Sequence, residues 1–190
     1  EAPAPTKAAA TQAPSSTEPA SVPVSSPQPM LKAPEANPKR GGILQWAGLS
    51  DSPHFDMHQC NTAACAEPQG PFFDNLVRYS PFDGGKELMP DLAFKWDISD
   101  DGLVYTFHLR DGVKFHDGAQ LTSDDIKATF DKIIFPPKGV ASARKAFFIM
   151  VDKVTAPDDY TVVFDLKYPS GAFIPALAMP YNFVYSKAIL

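Results

Sequence analysis

Four side chains of metal-binding or redox type crowd into one short stretch: His54, His58, Cys60 and Cys65. In an exported chain, Cys60 and Cys65 read as a local disulfide, with two free thiols as the alternative. Closing so small a loop stabilises by about 2 kcal/mol on the chain-entropy account. A soft metal held by all four residues is a sharper idea, since each type binds zinc. Their spacing matches no zinc pattern, however, and a disulfide would remove two of the ligands. No metal and no cofactor are therefore expected.

Other candidate chemistry is thinner. Asp97, Ser99, Asp101 and Gly102 look like the start of a calcium loop, but its twelfth position is His108 instead of a bidentate Glu. The pairs Asp124-Asp125 and Asp158-Asp159 read as helix-start and turn carboxylates. Nucleophile-elbow, Walker, HExxH and GxGxxG motifs are all missing, so no catalytic residue is assigned and no enzyme is expected. His108 and His116 read as exposed strand residues. Phe72, Phe73, Phe147, Phe148, Phe173, Tyr181 and Phe183 could line an apolar cleft, although most such residues serve a core.

The elements that must position these groups show best between Pro90 and Lys127. Leu103, Tyr105, Phe107 and Leu109 alternate with Val104, Thr106, His108 and Arg110, the period of a half-buried strand. Asp111-Gly112 suits a two-residue hairpin turn, with Val113 to His116 as the returning strand. After a second turn at Asp117-Gly118, Thr122 caps a helix over 123–135, with Asp125 completing a weak capping box. Pro136-Pro137 ends that helix. Elsewhere the pattern predicts a strand over 43–49, a loop over 50–70 and a helical turn over 71–79. Further on it predicts a short helix over 144–150, paired strands over 151–156 and 160–166, a helix over 170–178 and extended chain over 181–185.

Composition divides the chain in two. Residues 1–40 hold nine of the twenty prolines and none of the 22 aromatic residues. Such a segment buries too little apolar surface to offset its chain entropy, so it is expected to be disordered. It reads either as an unstructured leader or as a tether from a lipidated anchor, with a span of roughly 35 Å. Residues 41–190 carry 13 basic and 19 acidic residues with no basic stripe, which excludes nucleic acid as a partner. No apolar run reaches the roughly 18 residues of a membrane helix. The chain begins at Glu1 and shows no signal peptide, so either a targeting segment has been removed or the sequence is part of a longer one.

The block PDLAFKWDISDDGLVYTFHLRDGVKFHDGAQLTSDDIK resembles the signature of the family 5 extracytoplasmic solute-binding proteins, the peptide-binding components of ABC importers. The likeness runs from about Gly41 to Leu190 and includes Phe55-Asp56-Met57-His58, Phe73 to Tyr79, and Pro90 to Ala93 with Trp96. It implies an α/β chain: the N-terminal part of a periplasmic-binding-protein-like (type II) two-lobed fold, with an inserted mixed α+β domain. On that reading 1–40 is the tether, 41–56 begins lobe one, 57–168 is the inserted domain and 169–190 returns to lobe one, with the second lobe absent.

The resemblance implies an extracytoplasmic substrate-binding subunit that captures peptides by lobe closure and delivers them to a membrane permease. It implies a monomer, periplasmic or tethered to the outer face of the cytoplasmic membrane as a lipoprotein. In such proteins the loop after the first strand lies along the cleft, which maps ligand contact onto Ser50, Asp51, Ser52 and Pro53. Met179, at the return to lobe one, is the second candidate. The same scaffold binding a metal chelate, haem or oligosaccharide is the alternative, and a secreted hydrolase or adhesion module is a further one.

Overall fold

The computed structural model describes residues 37, 39, 41–43, 45, 47–48 and 50–190. All of 1–40 except Asn37 and Lys39 therefore lies outside the described residues, and with it the expected disordered segment.

A four-stranded antiparallel sheet organises the rest. Its strands are Ala93–Ile98, Val104–Leu109, Val151–Asp158 and Thr161–Leu166. A smaller pair, Val77–Tyr79 with Leu88–Pro90, stands apart. Numbered along the chain, the pair is β1 and β2, and the sheet runs β3-β4-β6-β5. The alternation expected of β4 is present: Tyr105, Phe107 and Leu109 are buried while Thr106 and His108 are half-exposed. Val162, Phe164 and Leu166 of β6 follow the same rule.

Helix α2, Ser123–Ile134, covers the buried face of the sheet. Ile126, Phe130 and Ile133 are fully buried on one side of it, each stabilising by roughly 1.5–3 kcal/mol. Phe130 meets Phe164 edge-on at 5.2 Å between ring centres, and Phe164 meets Phe107 in the same manner at 5.6 Å. At its start the Asp125 carboxylate accepts the Thr122 amide at 2.9 Å and the Thr122 hydroxyl at 3.1 Å. Helix α3, Phe173–Leu177, adds Phe173 and Leu177 to the same core.

Several expectations need correction. Asp111-Gly112 does turn the chain, with Gly112 at φ +75°, but Val113 to His116 does not pair with β4. Residues 113–121 instead fold on themselves about Asp117-Gly118, where Lys114 bridges Gln120 and the Leu121 amide donates to the Val113 carbonyl at 2.9 Å. The edges of β4 belong to β3 and β6, and β6 brings an alternating apolar face, Val162, Phe164 and Leu166, to bury. The tight β3–β4 turn uses Asp101-Gly102, with Ser99 and Leu103 both donating to the Asp101 carboxylate.

Within the expected loop 50–70 lies helix α1, Ala63–Gln69, built from a small-residue run that tolerates Pro68. The expected helical turn 71–79 is a single tight turn, Gly70–Phe72, followed by β1, because Val77–Tyr79 finds a partner in β2. Residues 43, 45, 47 and 48 of the expected first strand are not strand, and Ile43 is 90% exposed; Leu44, Trp46 and Leu49 lie outside the described residues. The short helix expected over 144–150 is a tight turn at Lys145–Phe148, and that over 170–178 is confined to α3.

Candidate functional site

Two stretches far apart in sequence, 56–75 and 178–187, meet along a seam beside the main core. Cys60 and Cys65 form a disulfide with their Cα atoms 6.4 Å apart, closing a loop that leads into α1. Met57, Cys60 and Cys65 pack against Phe183 and Tyr185, with Phe73 and Tyr181 alongside. Long-range hydrogen bonds tie this small core. The Met57 amide donates to the Tyr185 hydroxyl at 3.0 Å, His58 Nε2 donates to the Phe183 carbonyl at 2.8 Å, and Arg144 Nη2 donates to the Cys60 carbonyl at 2.8 Å.

Burial, hydrogen bonds and neighbouring charge together set the ionisation of groups at the seam. His58 is 2% exposed and its ring lies 4.4 Å from that of Tyr185. Burial pushes its pKa down, the Phe183 carbonyl pulls it back up, and Lys132 lowers it further. The Phe183 carbonyl can only accept, so Nε2 carries the ring proton and Nδ1 is left buried without a partner. Asp56 beside it is opposed by burial, yet hydrogen bonds from Gln59 and His58 and the charge of Lys132 hold its pKa down.

On its other flank the seam is held by α2. The Thr129 hydroxyl donates to the Tyr185 carbonyl at 3.2 Å and accepts the Tyr185 amide at 3.1 Å. The Lys187 amide donates to Asp125 at 2.8 Å, so one carboxylate both caps α2 and fixes the segment after Tyr185.

Met179 is placed by a third group. Asn75 donates through Nδ2 to the carbonyls of Met179 at 3.1 Å and Ala178 at 3.4 Å. The Asn75 amide in turn donates to Asp91 Oδ2 at 3.0 Å, and Arg110 Nε donates to the Asp91 carbonyl at 2.7 Å. Burial, then the neighbouring Asp74, push the Asp91 pKa up to about 6, against the pull of Asn75, Arg78 and Arg110.

Of the candidate ligand residues, Ser50, Asp51 and Pro53 are exposed and Ser52 is half-buried. The Ser52 hydroxyl donates to the His54 carbonyl at 2.6 Å, and Gln69 of α1 donates to that carbonyl at 3.4 Å. Ser50–Pro53 thus approaches the seam through α1, and Met179 through Asn75. His54 is exposed while Cys60 and Cys65 are joined, so the four-ligand cluster is not assembled; among the described residues no group of three or more His, Cys, Asp or Glu could hold a metal ion. His108 lies 2.8 Å from Asp97.

Beside the seam a recess of about 250 Å³ opens between Phe72, Phe73 and Asp74, the 113–117 hairpin arm, and Ser186 with Ile189. Its walls are mostly apolar, with Asp74, Lys114, His116 and Asp117 supplying charge or polarity. Among the cleft aromatics, Phe148 and Phe173 belong to the main core, Phe183 to the seam, and Phe72 and Phe147 are exposed. Sequence reading missed Arg144, Asn75, Asp91 and Tyr185. Their contacts reach 84 and 128 residues along the chain for Arg144 and Tyr185, beyond any local signal.

Residues 87–188, covering both α2 and the 178–187 side of the seam, match the bacterial extracellular solute-binding proteins, family 5, middle portion. The chain belongs to this family. It is 36% identical over 148 residues to di/tripeptide-binding protein 4 of Pseudomonas aeruginosa, which covers 70% of this chain and 27% of the relative. It is 41% identical over 136 residues to the glutathione-binding protein GsiB of Pectobacterium atrosepticum, covering 72% of this chain and 26% of the relative. The structure of the periplasmic binding protein DppA from Helicobacter pylori, in complex with the peptide STSA, superimposes with a TM-score of 0.64 at 28% identity, over 73% of this chain and 30% of that one.

This family 5 solute-binding protein chain therefore spans about a quarter of the length of the curated relatives it matches. Its α/β architecture is part of the periplasmic-binding-protein fold, as the resemblance implied. The family is one of extracellular binding proteins, and among the described residues no helix is long and apolar enough to cross a membrane.

Proposed function

We propose that this protein is the extracytoplasmic substrate-binding subunit of an ABC importer, capturing peptides by lobe closure and delivering them to a membrane permease. The observation that carries this reading is the 36% identity to a di/tripeptide-binding protein across 70% of the chain. Capture needs no covalent step, so the protein acts as a receptor and not as an enzyme. Peptide shifts the open–closed balance by binding the closed form more tightly. Residues 41–56 begin lobe one, 57–168 form the inserted domain and 169–190 return to lobe one. Ser50, Asp51, Ser52, Pro53 and Met179 border the ligand, and 1–40 tethers the body at the outer face of the cytoplasmic membrane.

The test is calorimetric titration of the whole protein, refolded to remove endogenous cargo, with di-, tri- and tetrapeptides. Saturable binding of at least one peptide length is the expected result. Heats indistinguishable from dilution across the series, with a native mass spectrum showing no released peptide before refolding, would sink the reading.

A further inference from the structure

The return segment 178–184 hangs at both ends on one dipeptide, Asp74-Asn75. Asn75 Nδ2 donates to the carbonyls of Met179 and Ala178, and the Val184 amide donates to the Asp74 carbonyl at 3.0 Å. Flipping the Asn75 amide would set its oxygen against two carbonyl oxygens, so its orientation is fixed. Between those ends the Asn182 side chain donates to the Ala176 carbonyl at 2.7 Å and closes the turn on α3. Asn75 Oδ1 is buried without a partner, so Nδ2 alone ties this side chain to the segment.

On its other side the same dipeptide rests on Asp91. The Asn75 amide donates to Asp91 Oδ2 at 3.0 Å, and the Leu92 amide returns a bond to the Asn75 carbonyl at 3.1 Å. The charges that bear on Asp91 are Asp74 and Arg78 on the 74–79 side and Arg110 beyond the end of β4, with Arg78 Nε 4.0 Å from Oδ1. Asp74 also faces the recess together with Lys114, His116 and Asp117. The 178–184 segment adds carbonyls and one titratable side chain, Tyr181, whose ring lies against Arg144.

The two states of this carboxyl pull differently on the dipeptide. Ionised, it accepts the Asn75 amide through a charge-assisted bond and attracts Arg78, while repelling the Asp74 carboxylate. Protonated, it keeps only a weaker, neutral bond, and both charge effects lapse. Burial and Asp74 bring the change to about pH 6. Both ends of the return segment are anchored on the residues so affected.

We propose that Asp91 and Asn75 are positioning residues for the return segment, and that solute binds more tightly when Asp91 is ionised. The proposal rests on the solute-capture reading, with Met179 bordering the ligand. By reciprocity the solute favours ionised Asp91, so binding releases a proton and affinity rises with pH through the transition.

The whole protein tests this in two steps. The carboxyl carbon of Asp91, the Asn75 side-chain amide and the Val184 amide are titrated together by NMR; one shared midpoint is expected. Calorimetry with di-, tri- and tetraalanine then follows affinity from about pH 5 to 7.5. The tightest binder should gain about three- to tenfold over this range, matching an Asp91 pKa lower by about half to one unit in the complex. Asp91→Asn should flatten the profile. Should that variant fail to show a cooperative melt, the Asp91 carbon is titrated in peptide-saturated wild type, where a lowered midpoint is expected. An affinity equally steep in Asp91→Asn, or a midpoint that peptide leaves unmoved or raises, overturns the proposal. So does a Val184 amide indifferent to Asp91. Shared midpoints without binding of any alanine peptide would instead sink the importer reading and leave the coupling of Asp91 to the return segment standing.

Discussion

The Asp91 carboxyl is wedged beneath Asn75, and burial together with Asp74 raises its pKa to about 6, above the ordinary value of 3.8. The folded state thus favours the protonated acid. Its contribution to stability is greatest below about pH 4 and falls as pH rises through about 6. Asp91→Asn keeps an acceptor for the Asn75 amide without the charge. It should be more stable than wild type at pH 7, by up to about 3 kcal/mol, with the difference vanishing near pH 4. Urea midpoints at the two pH values check this, and a less stable variant at pH 7 would mean that Arg78 and Arg110 outweigh burial. His58 acts in the opposite sense. Its pKa is lowered on folding, so the unfolded chain takes up the proton first and stability drops as pH falls below about 6.5.

At the scale of elements, the disulfide loop and α2 grip the 181–185 segment from two sides. The double substitution of Cys60 and Cys65 by Ser should cost about 2 kcal/mol. Amide exchange should quicken first at Phe183 and Tyr185, with Phe107 and Phe164 of the sheet staying protected. Phe130→Ala strikes the main core instead and should cost roughly 3–5 kcal/mol, read as a lower urea midpoint of the whole transition. This division also explains what was legible in the sequence. The alternation of β4 and the Thr122–Asp125 cap are local patterns, and both are present. A turn dipeptide such as Asp111-Gly112 reverses the chain without naming the strand that will pair, so β6 as neighbour of β4 was hidden. Arg144 beneath Tyr181 was hidden for the same reason, since a guanidinium carries no pattern until its partners fold around it.

For the molecule as a whole, the seam and the main core share one length of chain, with Phe173, Leu177 and Val184 in the larger core and Phe183 and Tyr185 in the smaller. On the proposed peptide-capture reading, with ligand bordered by Ser50, Asp51, Ser52, Pro53 and Met179, a bound solute should stabilise both together. Peptide at a hundredfold excess over its Kd should raise the unfolding free energy by about 2.7 kcal/mol, seen as a single shifted melting transition. Two separate transitions, with only one moving, would mean that the cores respond independently.

The strand order β3-β4-β6-β5 also sets a timetable for synthesis. Thr106 in β4 is paired with Val163 in β6, so the centre of the sheet stays open until β6 has been made. A nascent chain that has reached only α2 therefore holds the β3–β4 hairpin with Tyr105 and Phe107 uncovered and one edge unpaired. Such non-local pairing is slow to form and exposed to aggregation while it waits. Mutations that slow the making or pairing of β6 should therefore lengthen the interval in which that edge lies open.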